Sequence, residues 1–191
     1  MFHPGLENLK DMPMWTIAGN HDYKGNVSAQ ILYTDYDPTG RWRYPNFWYK
    51  LPTYSTSAFS LDIIVIDTEL MCFKFSIDEI EDLGIDSIEA QWKFFYQQLD
   101  WFENALASST ADYIVVAGHK QILSTADHHL TEELMEWVLP LLKKYGVQLY
   151  VSGQSGRIQG FQHRCRRNCL RVTIENLYLE RELFCLRIRK C

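Results

Sequence analysis

Three apolar runs of this chain each stop at a glycine that a polar residue follows. The runs cover residues 14–17, 113–116 and 147–151. The residues that follow them are Gly19, Asn20 and His21 after the first, Gly118 and His119 after the second, and Gly153 and Gln154 after the third. Short apolar runs that end in turn residues predict buried strands. If these strands lie side by side, their C-terminal ends bring the polar side chains to one edge of a sheet, where such sheets bind ligands.

Helical patterns separate the predicted strands. The longest is predicted for residues 88–106 with Ser87 as its cap, because apolar residues recur there at spacings of three and four: Ile88, Trp92, Phe95, Leu99, Phe102 and Leu106. A second helix is predicted for 134–145, with Thr131 as its cap and Gly146 at its end. A short helix is predicted for 26–36.

The segment between the predicted helices at 26–36 and 88–106 contains a predicted strand and then an acidic stretch. Residues 58–67 are rich in β-branched side chains and predict a further strand. The acidic stretch at 69–86 predicts a solvated surface loop.

Composition excludes several classes of protein. The chain has 191 residues, of which 47% are hydrophobic and 23% charged, enough for one domain with a real core. It contains no apolar run of 18 residues, so we expect no membrane span, and residues 1–10 lack the apolar stretch of a signal peptide. A net charge of −5 argues against general nucleic-acid binding.

The charge is unevenly distributed and suggests a boundary near residue 160. Residues 157–191 hold nine Lys and Arg against three Glu, and four of the five cysteines: Cys165, Cys169, Cys185 and Cys191. This tail reads either as a basic nucleic-acid or zinc-binding appendage or as a segment foreign to the domain. The cysteine spacing fits no regular zinc pattern and favours the second interpretation. We therefore expect a domain at 1–160 and a basic, cysteine-containing tail at 161–191.

The polar residues at the predicted sheet edge suit metal and phosphate chemistry. The amide oxygen of Asn20 and an imidazole nitrogen of His119 are ligands for a divalent ion such as zinc or iron. His21 and His128 are candidates to donate to a phosphate or to carry a proton. Each also has a purely structural interpretation, as a hydrogen-bonded loop residue or a structural histidine.

Longer motifs narrow these alternatives by resemblance. Residues 18–22 (Ala-Gly-Asn-His-Asp), 25–30 (Gly-Asn-Val-Ser-Ala-Gln) and 115–119 (Val-Val-Ala-Gly-His) resemble the purple acid phosphatases, especially the animal tartrate-resistant type. The resemblance runs from about Leu6 to Gln159. It implies the calcineurin-like metallophosphoesterase fold, an α+β (αββα) architecture of two packed mixed β-sheets flanked by helices, here without the N-terminal strands.

The resemblance also implies an activity and roles for particular residues. Members of this family are acid phosphatases that hydrolyse phosphate monoesters at a binuclear metal centre, Fe3+ with Fe2+ or Zn2+. Asn20 and His119 match ligands of the divalent ion, and His21 matches a histidine that contacts the substrate phosphate. His128 matches the histidine that protonates the leaving group. The sequon at Asn26 matches a glycosylation site and implies a secreted or lysosomal protein.

The chain departs from the family at three places. The family's Asp-x-Gly and Gly-Asp-x-x-Tyr motifs would precede residue 1, and its Gly-His-x-His motif falls on 153–156, where both histidines are replaced. Lys120 and Gln121 replace the family's Tyr-Pro after the metal histidine. With this ligand set incomplete, we expect an impaired phosphatase or, alternatively, a non-catalytic remnant that binds phosphate or a protein partner. A third alternative is that the chain does not fold alone.

Overall fold

A computed structural model describes residues 12–72, 80, 83, 85–122, 131–153, 170–173 and 187–190. The elements are β1 (Met14–Trp15), α1 (Val27–Tyr36), β2 (Trp42–Arg43), β3 (Tyr49–Lys50), β4 (Tyr54–Ser55), β5 (Ser60–Val65), α2 (Thr68–Met71), α3 (Ile88–Ala107), β6 (Tyr113–Gly118), a π-helical turn (Leu134–Val138), α4 (Leu139–Lys144), β7 (Leu149–Ser152), β8 (Leu170–Thr173) and β9 (Arg187–Lys190). Strands β8 and β9 pair antiparallel with each other.

The main sheet has five strands with β5 near its centre. Strands β3 and β4 pair with β5 antiparallel, whereas β6 pairs with β5, and β7 with β6, in parallel. Helices connect the parallel strands, α3 between β5 and β6 and α4 between β6 and β7. Because β5, β6 and β7 are parallel, their C-terminal ends at Val65, Gly118 and Ser152 meet at one edge of the sheet.

Both faces of this sheet are apolar. Side chains alternate along β6, so that Ile114 and Val116 join a core beneath the helices while Tyr113 and Val115 join a second cluster on the opposite face. Because both faces are buried in apolar surroundings, every residue of 113–116 is apolar, and the strand is a continuous apolar run in the sequence.

Helix α3 begins where the sequence predicts. The hydroxyl of Ser87 accepts a hydrogen bond from the amide of Ala90, which caps the helix. The prediction that Ile88 and Trp92 belong to its core face is wrong, since they are 63% and 41% exposed. The buried face is turned by one residue and carries two glutamines in addition to three of the predicted apolar side chains: Gln91, Phe95, Gln98, Phe102 and Leu106.

The second long helix is less regular than the pattern predicts. A π-helical turn precedes α4, whose first turn contains Pro140. Proline has no amide hydrogen to donate, so the pattern of backbone hydrogen bonds along the helix changes next to Pro140. Thr131 stands directly before the first helical residue, as predicted, and its carbonyl accepts from the amide of Met135 at 3.0 Å, while its hydroxyl donates to the carbonyl of Gln121 at 2.7 Å. Gly146 ends the helix with a φ of +64°, as expected for a C-terminal glycine.

The first apolar run lies outside the main sheet. Met14 and Trp15 pair in parallel with Trp42 and Arg43 in a separate two-stranded sheet. The condition considered for the sequence, that this run lies beside β6 and β7, is therefore not met. Beyond Trp15, Ala18 is buried in a further core cluster. This cluster also contains Tyr49 of β3 and Val65 of β5, so the chain contacts the main sheet there through side chains.

The acidic stretch after β5 is not a solvated loop throughout. Residues 68–71 form α2, in which every side chain is buried, and Ile80 and Ile85 are also buried. The prediction of a surface loop is wrong at residues 69–71, 80 and 85. The carboxylate of Glu69 is paired with the ammonium group of Lys120, and the side chains of Leu70, Ile80 and Ile85 pack in one core cluster.

The described residues thus form an α+β fold with more than one sheet and flanking helices, which confirms the predicted fold class. Among these residues, no helix combines the length and the apolar character that crossing a bilayer requires.

Candidate metal and phosphate site

Asn20 and His119 lie in contact although 99 positions separate them. The amide oxygen of Asn20 is 3.2 Å from Nε2 of His119. Two donors bound at about 2.1 Å to one ion, at an angle near 100°, would stand about 3.2 Å apart. The two atoms are within hydrogen-bonding distance of each other, and the same separation suits two ligands of a single divalent ion.

The chain is closely packed at the end of β6, where His119 lies. A Cβ atom on Gly19 would lie 2.6 Å from Cε1 of the His119 ring, so the ring rests directly on the backbone of Gly19. A Cβ atom on Gly118 would lie 2.3 Å from the hydroxyl of Tyr150. The amide of Gly153 donates to the carbonyl of His119 at 3.1 Å. At both positions a side chain larger than that of glycine would collide with its neighbours.

Asp22 shapes the turn that presents Asn20. One carboxylate oxygen accepts a hydrogen bond from the amide of Gly19 at 2.8 Å. The other accepts from Nε2 of Gln30 at 2.9 Å, which ties the turn to α1. Asp22 is therefore already engaged in the loop, whereas the neighbouring His21 is exposed to solvent.

The electrostatic surroundings keep His119 neutral. Burial and, after it, the positive charge of Lys120 lower the pKa of this imidazole to about 4, although Asp22 acts in the opposite direction. A metal ion binds only the neutral ring, so His119 is ready to bind one throughout the mildly acidic range.

The structure describes only one of the remaining predicted site residues, Asn26. His128 and Gln154 fall outside the described residues. Asn26 is exposed and caps α1, since its side-chain oxygen accepts from the amide of Ala29 at 2.7 Å.

Sequence reasoning missed a group of buried charges next to the site. Asp67 follows the end of β5, its carboxylate accepts from the hydroxyl of Tyr23 at 2.6 Å, and burial raises its pKa to about 7. Glu69 forms a buried ion pair with Lys120. The signal that points to Asp67 is the one used for His119, a polar residue directly after a parallel strand. Lys120 was visible only as a departure from the family motif.

The donors present fit part of one metal site. A carboxamide oxygen and a neutral imidazole suit Fe2+ or Zn2+. Among the described residues, no group of three or more His, Cys, Asp and Glu is placed to hold an ion. A ferric ion needs anionic ligands to offset its charge, and the carboxylate in the same turn, Asp22, is already held by Gly19 and Gln30. We therefore derive no step through a ferric ion.

Comparison with known proteins finds relatives that match about four fifths of this chain. The rat (Rattus norvegicus) tartrate-resistant acid phosphatase type 5 is 35% identical over 161 residues, covering 81% of this chain and 46% of that protein. Glideosome-associated protein 50 of Plasmodium falciparum is 28% identical over 177 residues, covering 78% and 42% respectively. The chain spans just under half the length of these relatives.

A solved structure and a family model agree with this relationship. The structure described as "GAP50 the anchor in the inner membrane complex of Plasmodium" matches with a TM-score of 0.59 and 28% identity, over 76% of this chain and 45% of that chain. The model of the calcineurin-like phosphoesterases matches residues 2–153, most of the chain. Together with the contact between Asn20 and His119 at the edge of the sheet, this match shows that the chain belongs to the calcineurin-like phosphoesterase family.

Proposed function

We propose that this chain carries part of the active site of an acid phosphatase that hydrolyses phosphate monoesters. The observation that carries the proposal is the 3.2 Å contact between Asn20 and His119. Membership of a phosphoesterase family, with acid phosphatases among the relatives, supports the substrate class.

Each of the predicted residues receives a role in this proposal. Asn20 and His119 hold a divalent ion, Fe2+ or Zn2+, which when bound would polarise a phosphate oxygen. His21 donates a hydrogen bond to the phosphate from its exposed position beside Asn20. His128 gives a proton to the oxygen of the leaving group. The ferric half of the family's binuclear centre receives no residues of the described structure.

Turnover of an aryl phosphate by the purified full chain, with added Zn2+ or iron, tests this proposal. We expect His119→Ala and Asn20→Ala each to lower turnover by more than about 100-fold, because each removes a metal ligand. Asn104→Ala, at an exposed position of α3, is the matched control and should leave turnover unchanged. A folded parent chain without turnover would contradict the proposal.

A second candidate is a non-catalytic domain that binds phosphate or a protein partner through the same residues. It is favoured by the number of neutral donors that the described residues bring together, two, where a catalytic zinc ion uses three protein ligands. The relative described as an anchor is consistent with it. Calorimetric binding of inorganic phosphate without turnover of the aryl phosphate would favour this candidate.

Three further features are proposed by the same resemblance. Asn26 carries a glycan, and the protein is secreted or lysosomal. Residues 1–160 form the phosphoesterase domain, and residues 161–191 form a basic tail separate from it. Mass spectrometry of the protein from a secreting cell, before and after glycosidase treatment, tests the glycan at Asn26.

A further inference from the structure

We propose that residues 67–69, at the junction of β5 and α2, position the Asn20–His119 pair by binding both of the loops that carry it. Asp67, Thr68 and Glu69 are all buried. The inference builds on the proposed function, since it names the residues that hold that site in place. They are positioning residues, because none of them contacts Asn20 or His119 through a hydrogen bond in the described structure.

The loop of His119 is bound through Thr68 and Glu69. The amide of Lys120 donates to the hydroxyl of Thr68 at 2.9 Å. The ammonium group of Lys120 forms its ion pair with Glu69. The carbonyl of Lys120 accepts from the hydroxyl of Tyr150 at 2.7 Å, so that the residue next to His119 is held at its amide, its carbonyl and its side chain.

The loop of Asn20 is bound through Asp67. Tyr23 lies three residues after Asn20 in a short 3₁₀ turn, and its hydroxyl donates to Asp67 at 2.6 Å. The other carboxylate oxygen of Asp67 accepts from the amides of Glu69 and Leu70 and caps α2. A single carboxylate therefore joins the turn that follows Asn20 to the segment that holds Lys120.

Residues 67–69 are themselves fixed to the largest helix. The amide of Asp67 donates to Oε1 of Gln98 at 2.7 Å, and Nε2 of Gln98 donates to the carbonyl of Asp67 at 3.1 Å. This pair of bonds explains why α3 buries a glutamine at this position. Buried polar contacts of this kind fix one arrangement of the groups they join.

Two near-isosteric variants remove one bond on each side. Tyr23→Phe removes the hydroxyl that binds Asp67, and Thr68→Val removes the acceptor of the Lys120 amide. Two controls remove comparable bonds far from the loops: Tyr145→Phe loses a contact with Glu103, and Thr53→Val loses one with Asp62. All four are compared with the parent chain by calorimetric titration with Zn2+ and by the imidazole ¹H–¹⁵N signals of His119.

We expect Tyr23→Phe and Thr68→Val to fold, to weaken Zn2+ binding by about 10-fold or more, and to shift or split the His119 imidazole signals. The controls should keep both properties of the parent. Unchanged His119 signals and unchanged Zn2+ affinity in both test variants would overturn the inference. If the parent chain binds no Zn2+, the proposed metal site fails. The imidazole signals then decide alone: a shift confined to Tyr23→Phe and Thr68→Val supports the positioning role, and no shift overturns it.

Discussion

Replacing Lys120 by methionine is expected to lower the free energy of unfolding by about 3–5 kcal/mol, because it leaves the carboxylate of Glu69 buried without its counter-charge. Glu69 is 1% exposed, and one of its oxygens has no hydrogen-bond partner among the described residues even when Lys120 is present. The other oxygen binds the ammonium group of Lys120. Chemical denaturation of the two proteins at pH 7 measures the difference.

The ion pair of Lys50 and Asp62 provides the matched control. Lys50 is partly exposed, and Asp62 also accepts from the hydroxyls of Thr53 and Ser109, so Lys50→Met should cost only about 1 kcal/mol. Adding Glu69→Leu to Lys120→Met should recover most of the lost stability, since it removes the uncompensated charge. Equal losses for Lys50→Met and Lys120→Met, or no recovery in the double variant, would contradict the role assigned to the pair.

Asp67→Asn is expected to remove a fall in stability that the parent chain undergoes between about pH 4 and pH 7. Burial raises the pKa of Asp67 to about 7, with the nearby charge of Glu69 adding to the effect. Since the folded chain holds this proton more tightly than the unfolded chain, the stabilisation is complete below pH 4. It is lost as the pH rises through 7. A shift of about three pKa units corresponds to about 4 kcal/mol.

His119 acts in the opposite direction over part of this range. Its pKa is lowered to about 4, so the unfolded chain binds the proton more tightly and stability rises as the pH increases from 4 to about 6.5. The parent and Asp67→Asn share this contribution, and the difference between their unfolding curves at pH 4.5 and pH 8 isolates Asp67. A difference that does not change with pH would show that Asp67 titrates normally.

The sequence predicts the strands and helices around this site better than the buried polar contacts beside it. The apolar runs at 113–116 and 147–151 lie in neighbouring parallel strands, and the glycine at 118 precedes His119 where the pattern places it. The helix capped by Ser87 also begins as predicted. These features depend on local periodicity and turn chemistry, which a single sequence records directly.

The interior of the site depends on pairings that a single sequence does not record. Asp67 read only as the end of a strand and Glu69 as a member of an acidic loop, because their partners, Tyr23 and Lys120, are 44 and 51 positions away. Gln98 was left out of the predicted buried face of α3 for the same reason. Its side-chain amide is buried there because it forms two hydrogen bonds with the backbone of Asp67. Tertiary contacts decide whether such a residue is buried, and its neighbours in the chain do not reveal them.

The most direct test of the central claim is anomalous diffraction at the zinc edge from crystals of the full chain soaked in Zn2+. We expect a peak within about 2.3 Å of both the amide oxygen of Asn20 and Nε2 of His119, because those are the distances at which oxygen and nitrogen bind zinc. Zinc bound elsewhere, with these two atoms still in contact with each other and no peak beside them, would contradict the claim that they form a metal site.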